Sequence, residues 1–158
     1  MVRLVPMTED EFQTYRKTSV EDYAQEHVKT GNWHPSEALQ NAEKEFTHLL
    51  PEGVASKNQY LCTIMDDQTG MKVGVIWFAV IDKSLRPSAF IYDFLVYKEF
   101  RRRGYGKQTL QAVEERVREL GVDTIWLHVF GHNQEALALY QQVGYEITNI
   151  NMAKKLKG

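Results

Sequence analysis

Arg101-Arg102-Arg103-Gly104-Tyr105-Gly106 follows the apolar run from Ser88 to Tyr97 and directly precedes a segment with helical spacing of its apolar residues. That order, a strand, a basic glycine turn and then a helix, builds an anion site largely from backbone. The first amides of a helix lack an internal acceptor and carry the positive end of its macrodipole. Glycine lets a phosphate approach those amides with no Cβ in the way.

Two familiar phosphate loops do not fit. A Walker loop ends in Gly-Lys-Ser/Thr, and here Gln108 follows Gly106-Lys107. A dinucleotide-binding fingerprint needs a third glycine or alanine where Thr109 stands. The remaining pattern, Arg/Gln-x-x-Gly-x-Gly/Ala, resembles the pyrophosphate loop of the GCN5-related N-acetyltransferases (GNATs). The next helix, Gly104 to Leu120, carries Leu110, Val113, Val117 and Leu120 on one stripe, with Gly121 as its stop. Thr124 to Phe130 reads as a short strand. Asn133, Ala136, Leu139 and Tyr140, followed by Gly144-Tyr145, are similar to the second GNAT signature, Asn-x-x-Ala-x-x-Leu-Tyr then Gly-Phe/Tyr. The resemblance spans roughly Gln59 to Leu156, and the earlier residues fit the family's variable amino-terminal part.

Length and composition set the frame. The 158 residues suit a single domain, 1–158, and the 43% hydrophobic and 25% charged fractions suit a globular one. A formal charge of −2, with no aromatic-basic platform around Arg101 to Arg103, argues against nucleic acid as a partner. Cys62 is the single cysteine, so no internal disulfide can form. No signal peptide opens the chain, because Glu9, Asp10 and Glu11 precede any apolar run. The apolar run Val73 to Ile81 is about half the ~20 residues that span a bilayer. No membrane contact is expected, and the expected location is cytoplasmic. His27, His34, His48 and His132 lack metal-ligand spacing with Cys62 or one another, so no metal site is expected.

From the start, Arg3 to Met7 reads as a short strand ended by Pro6. Thr8 and Glu11 form a capping box for a helix that carries Phe12 and Tyr15, runs to about Lys29 and stops at Gly31. Pro35-Ser36 opens a second helix with Ala38, Ala42, Phe46 and Leu49 as its stripe. Strands follow at Gln59 to Met65, Lys72 to Ile81 and Ser88 to Tyr97, with turns at Asp66 to Gly70 and Lys83 to Pro87. Glu146 to Leu156 alternates as a last strand. The expected class is α/β (α+β), in the order β-α-α-β-β-β-α-β-α-β. That is a mixed, mostly antiparallel sheet with helices on both faces, and the order is also that of the GNAT fold.

The resemblance implies a site. In GNATs the strand before the loop and the strand after the long helix run parallel and splay apart, and the pantetheine arm of acetyl-CoA lies in the gap. Here those strands are Ala89 to Tyr97 and Thr124 to Phe130. Amides near Leu95 and Val96 would hold the arm and polarise the thioester carbonyl, and Arg101 to Lys107 would hold the pyrophosphate. Tyr140 matches the family position that often protonates the leaving thiolate; its helical stripe with Ala136, Leu139 and Val143 equally suits a core tyrosine. Asn133 is a good helix cap and in the family commonly touches the cofactor arm.

The base is where this chain departs from better understood relatives. Some place a glutamate on the fourth strand, where Phe90 and Tyr92 stand here. Strand alternation puts Asp93 on the other face, with Ile91 and Leu95. Asp93 is either a base with a raised pKa or a structural acid. His128, sharing a face with Trp126 and Phe130, is a second candidate base with a suitable unperturbed pKa, or simply packing. Water, or the acceptor's own free-base form, is the third.

The implied activity is acetyl-CoA-dependent N-acetylation of a primary amine by direct attack in a ternary complex. The alternative is a non-catalytic acyl-CoA-binding or regulatory module on the same fold. The acceptor stays open between small amines and a protein amino terminus. The acidic stretch Glu9 to Glu26 suits a cationic acceptor or a solvated helix face. Homodimers are common among similar proteins.

Overall fold

The structure is a computed structural model describing residues 1–82 and 86–157, so the turn expected at Lys83 to Pro87 lies partly outside the described residues. β1 (Val2–Pro6) leads into α1 (Glu9–Thr30) through the capping box. Glu11 N donates to Thr8 Oγ1 at 3.1 Å and Thr8 N to Glu11 Oε1 at 2.9 Å, a cap of about 1 kcal/mol. Gly31 closes the helix, its amide bonding Val28 O at 3.0 Å. α2 (Ala38–Leu49) buries Ala38, Ala42 and Phe46 as its stripe predicts. It starts later than Pro35-Ser36, because Ser36 is tied back to His34 through both its amide and its hydroxyl.

β2 (Gln59–Asp66), β3 (Lys72–Ile81) and β4 (Ser88–Val96) continue the antiparallel sheet. α3 (Tyr105–Glu119) then crosses over, so that β5 (Ile125–Leu127) lies parallel to β4; a parallel neighbour requires such a connection. α4 (Gln134–Gln142) follows. The sheet order is β1-β2-β3-β4-β5. α1 and α2 cover one face with Phe12, Val20, Phe46 and Trp77. α3 covers the other with Leu110, Val113 and Val117 against Ile64, Ile76 and Phe78, joined by Leu139 of α4 and Val143 at its C-cap. Among the described residues, no helix is long and apolar enough to cross a membrane.

Two expectations need correction. First, Trp77 pairs with Asp93 and Phe78 with Ile91, leaving Tyr92 as the extra residue of a β-bulge. A bulge resets the alternation beyond it. Asp93 therefore lies opposite Trp77 on the α1 face, with Tyr92, while Ile91 packs toward α3. Second, residues 146–156 join no strand ladder among the described residues, and of Thr124 to Phe130 only Ile125–Leu127 is laddered.

The end of β3 is pinned to α1 electrostatically. Lys72 Nζ lies 2.7 Å from Glu11 Oε2, which also accepts from Thr63 at 3.2 Å. Lys72 and the Thr8 amide hold the Glu11 carboxyl at about 2, down from 4.5. A depressed carboxylate pKa stabilises the fold above the ordinary value and loses that contribution as pH falls toward the folded one. Glu11→Gln is expected to cost about 0.2–1 kcal/mol at neutral pH, the range for a mostly exposed pair. Urea unfolding should show the difference shrinking as pH falls from 4.5 toward about 2.

Candidate functional site

β4 and β5 pair only through Ala89↔Ile125, Phe90↔Trp126 and Ile91↔Leu127. Past the bulge they separate, opening a cleft of about 1110 Å³. Asp93, Leu95 and Arg101 line one wall, Leu127 to Phe130 the other, and Asn133, Ala136 and Tyr140 of α4 close an end. The splay expected between these strands is therefore present. Leu95 faces the cleft; the Val96 side chain does not, and its carbonyl accepts from Arg101 Nε at 3.0 Å.

The basic turn opens α3. Gly104 is the N-cap in a left-handed conformation, φ 83°, and no side chain among the described residues caps the helix. The amides of Tyr105, Gly106 and Lys107 thus begin a 15-residue helix with no side-chain acceptor, the arrangement an anion requires. Arg102, at φ 63°, completes the turn, Lys107 is exposed in the first helical turn, and the Arg103 guanidinium lies 5.7 Å from the Phe100 ring centre. Tyr105 contributes to an anion only through its amide, because its hydroxyl donates to Asp66 Oδ2 at 2.5 Å and ties the loop to β2.

The two glycines do different work. A Cβ on Gly106 would sit 2.9 Å from Leu139 Cδ2, so a larger residue there has to push the Leu139 side chain of α4 aside. A Cβ on Gly104 would meet only Gln108 Nε2, at 3.7 Å, and its requirement is the positive φ. Gly106→Val is therefore expected to lower Tm by displacing the Leu139 side chain. Gly104→Val should cost about 1–2 kcal/mol of backbone strain with the core retained. Thermal unfolding of both variants checks the contrast.

Tyr140 lies on α4 at the cleft, and burial, with Asp93's charge adding to it, pushes its phenol up to about 12. The hydroxyl is consequently protonated at neutral pH and can donate. Asn133 lines the cleft and caps α4, its Oδ1 accepting from Ala136 N at 3.3 Å. Asp93 accepts from Tyr15 Oη at 2.7 Å and from Phe94 N at 3.0 Å. Burial nevertheless raises its pKa, with a smaller push from Asp22, while these two hydrogen bonds oppose the rise. His128 is exposed on the opposite wall, edge-on to Phe130 at 4.9 Å.

Sequence reasoning missed the far end of the cleft. His27 stacks on Trp33 at 4.0 Å and meets Phe130 edge-on at 5.3 Å, while His132 reaches Glu26 at 2.5 Å. Asp22, Glu26 and Glu45 face the same space. Helix α1 and the segment after β5 are about 100 residues apart, so no local pattern joins them. Burial pushes the Cys62 thiol up to about 11, an inert thiol. Among the described residues, no group of three or more histidine, cysteine or acidic side chains is placed to hold a metal.

The acetyltransferase (GNAT) family model matches residues 12–145. An uncharacterized N-acetyltransferase of Bacillus subtilis (strain 168), YdgE, is 40% identical over 153 residues, 97% of each chain. A second from that strain, YycN, is 37% identical over 98% of this chain and 99% of its own. The crystal structure of Bacillus subtilis YycN superposes with a TM-score of 0.93 over 100% of both chains. An aminoglycoside acetyltransferase from a soil metagenome, 18% identical over 99% of this chain and 97% of its own, shares the fold at a TM-score of 0.61.

Proposed function

The chain belongs to the acetyltransferase (GNAT) family and is an N-acetyltransferase; from that premise we propose that it transfers the acetyl group of acetyl-CoA directly to a primary amine. The observation that carries this reading is one cleft that runs from Arg101 of the basic turn along the β4–β5 splay to the protonated Tyr140.

Residues of the turn fit the cosubstrate: Arg101 to Lys107 offer backbone donors and positive charge to a pyrophosphate. The splayed edges near Leu95 and Val96 offer backbone to the pantetheine arm. An amide fixed there stabilises negative charge developing on the thioester oxygen. Asn133 borders the arm's path while holding the start of α4. The acetyl thioester supplies an activated acyl carbon.

An alkylammonium has a pKa near ~10 and no lone pair, so the acceptor must first lose a proton. Asp93, on the cleft face with its pKa raised, accepts it; His128 on the opposite wall is the second candidate. The amine nitrogen then bonds to the acyl carbon and releases its second proton to solvent, the carbon–sulfur bond breaks, and Tyr140 gives its proton to the departing sulfur. The products are the N-acetyl amine and CoA thiol, and Tyr140 recovers its proton from solvent. Asp22, Glu26 and Glu45 at the far end favour an acceptor carrying a second positive charge.

Acetyl-CoA is expected to raise Tm, since a ligand bound only by the folded state adds about 2.7 kcal/mol at a hundredfold excess over Kd. Gly104→Val should remain folded and lose that shift. An equal shift in parent and variant would remove the turn from the cosubstrate site.

A further inference from the structure

The cleft face of the sheet carries a polar pair that packing alone does not require. Tyr15 of α1 is buried, 9% exposed, in the core cluster that holds Phe12, Val20 and Phe46. A phenylalanine would fill that place, and a hydroxyl buried there is unfavourable without a partner. Its partner is Asp93, 78 positions away. Tyr15 Oη donates to Asp93 Oδ2 at 2.7 Å, and the Phe94 amide donates to Oδ1 at 3.0 Å. Each carboxylate oxygen is thus anchored from a different element and keeps a lone pair free. Both residues line the cleft.

The surroundings of Asp93 leave Tyr15 a specific part. Burial opposes ionisation most, the Tyr15 hydroxyl and then the Phe94 amide favour it, and Asp22 of α1 adds a smaller opposition. Tyr140 of α4 feels the Asp93 charge, Tyr92 adjoins it on β4, Trp77 lies opposite on β3, and His128 stands on the far wall. Lys72 and Arg101, which also line the cleft, are held by Glu11 and by the Val96 carbonyl. Tyr15 itself stays a donor at neutral pH. Burial and then Asp93's charge push its phenol well above the ordinary value, with Ser19 opposing.

We propose that Tyr15 is a positioning residue for acetyl transfer: its hydroxyl holds the Asp93 carboxylate ionised and fixed in the cleft. The inference rests on the reading of Asp93 as the base. In that step an ammonium N–H bond breaks, its electron pair stays on nitrogen, and the proton bonds to a free lone pair of Asp93. Tyr15 keeps its own proton throughout and acts only through Asp93.

The test follows the Asp93 carboxyl carbon by NMR across pH, assigned by its loss in Asp93→Asn. Tyr15→Phe keeps the ring and removes the donor, so the carboxyl should titrate about one pH unit higher. A ring-fluorinated tyrosine at position 15, a stronger donor in the same ring, should move it lower. Thermal unfolding monitors the fold of each variant. With putrescine as the amine throughout, the acceptor's own ammonium cannot move the rising limb of the rate profile. The limb should therefore move with the carboxyl, and turnover of Tyr15→Phe on it should fall about tenfold. A carboxyl that titrates alike in the parent and both variants overturns the proposal and leaves Asp93 free to be the base. A carboxyl that moves while the limb stays removes Asp93 as the base, and the role of Tyr15 with it.

Discussion

Tyr140→Phe is expected to lower turnover at least tenfold while leaving acetyl-CoA affinity and Tm near those of the parent. The change removes only the hydroxyl, and a positioned general acid typically contributes ~10²–10⁴-fold in rate. The ring would still pack beside Leu139 and Val143 against the α3 core. Because burial and Asp93 push the phenol up to about 12, the acid form is fully populated at neutral pH. Turnover should therefore show no loss attributable to this group until pH approaches that value. Steady-state assay on a competent amine, with cosubstrate affinity measured separately, decides between acid and packing roles. Unaltered turnover would return Tyr140 to the core.

Asp93→Asn is expected to give the second large loss and to remove the rising limb of the pH–rate profile. Burial raises the Asp93 pKa, so the carboxyl keeps its proton to a higher pH in the folded protein than in the unfolded chain. Stability linked to this group is thus full below its ordinary pKa and falls as pH rises through the raised one. The ionised form costs folding energy at neutral pH, and the neutral amide relieves that cost. An asparagine can still accept from Tyr15 or Phe94 through its one oxygen. Turnover should fall while Tm does not, a pattern that a purely structural acid cannot produce. His128→Gln, on the opposite wall, should keep the parent's profile. If Asp93→Asn kept it instead, with acetyl-CoA binding intact, Asp93 would not be the base.

Most of the fold was legible because its signals are local. The capping box at Thr8, the stripes of α2 and α3 and the apolar run of β3 each announce an element within a few residues. The turn at Arg101 to Gly106 and the Asn133–Tyr140 signature located the cleft for the same reason. What stayed hidden depends on pairing. The bulge at Tyr92 has no composition signal, and a one-residue shift was enough to move Asp93 to the α1 face. The His27–Trp33–Phe130 cluster and the Tyr15–Asp93 bond join residues tens of positions apart. The contact of Gly106 with Leu139 was equally hidden, because it exists only once α4 packs on α3. Glu146 to Leu156 has a strand's alternation but no partner strand among the described residues.

The central claim, direct acetyl transfer within this cleft, is tested most directly by following thiol release from acetyl-CoA across a panel of mono- and polyamines. The acetylated amine is quantified by mass in the same samples. The account predicts at least one amine for which CoA thiol and N-acetyl amine form in equal amounts. Both substrates should saturate, and double-reciprocal plots should intersect, as a ternary complex requires. Acetyl-CoA binding with no amine-dependent thiol release across the panel, or parallel plots with an acetylated enzyme, would contradict it.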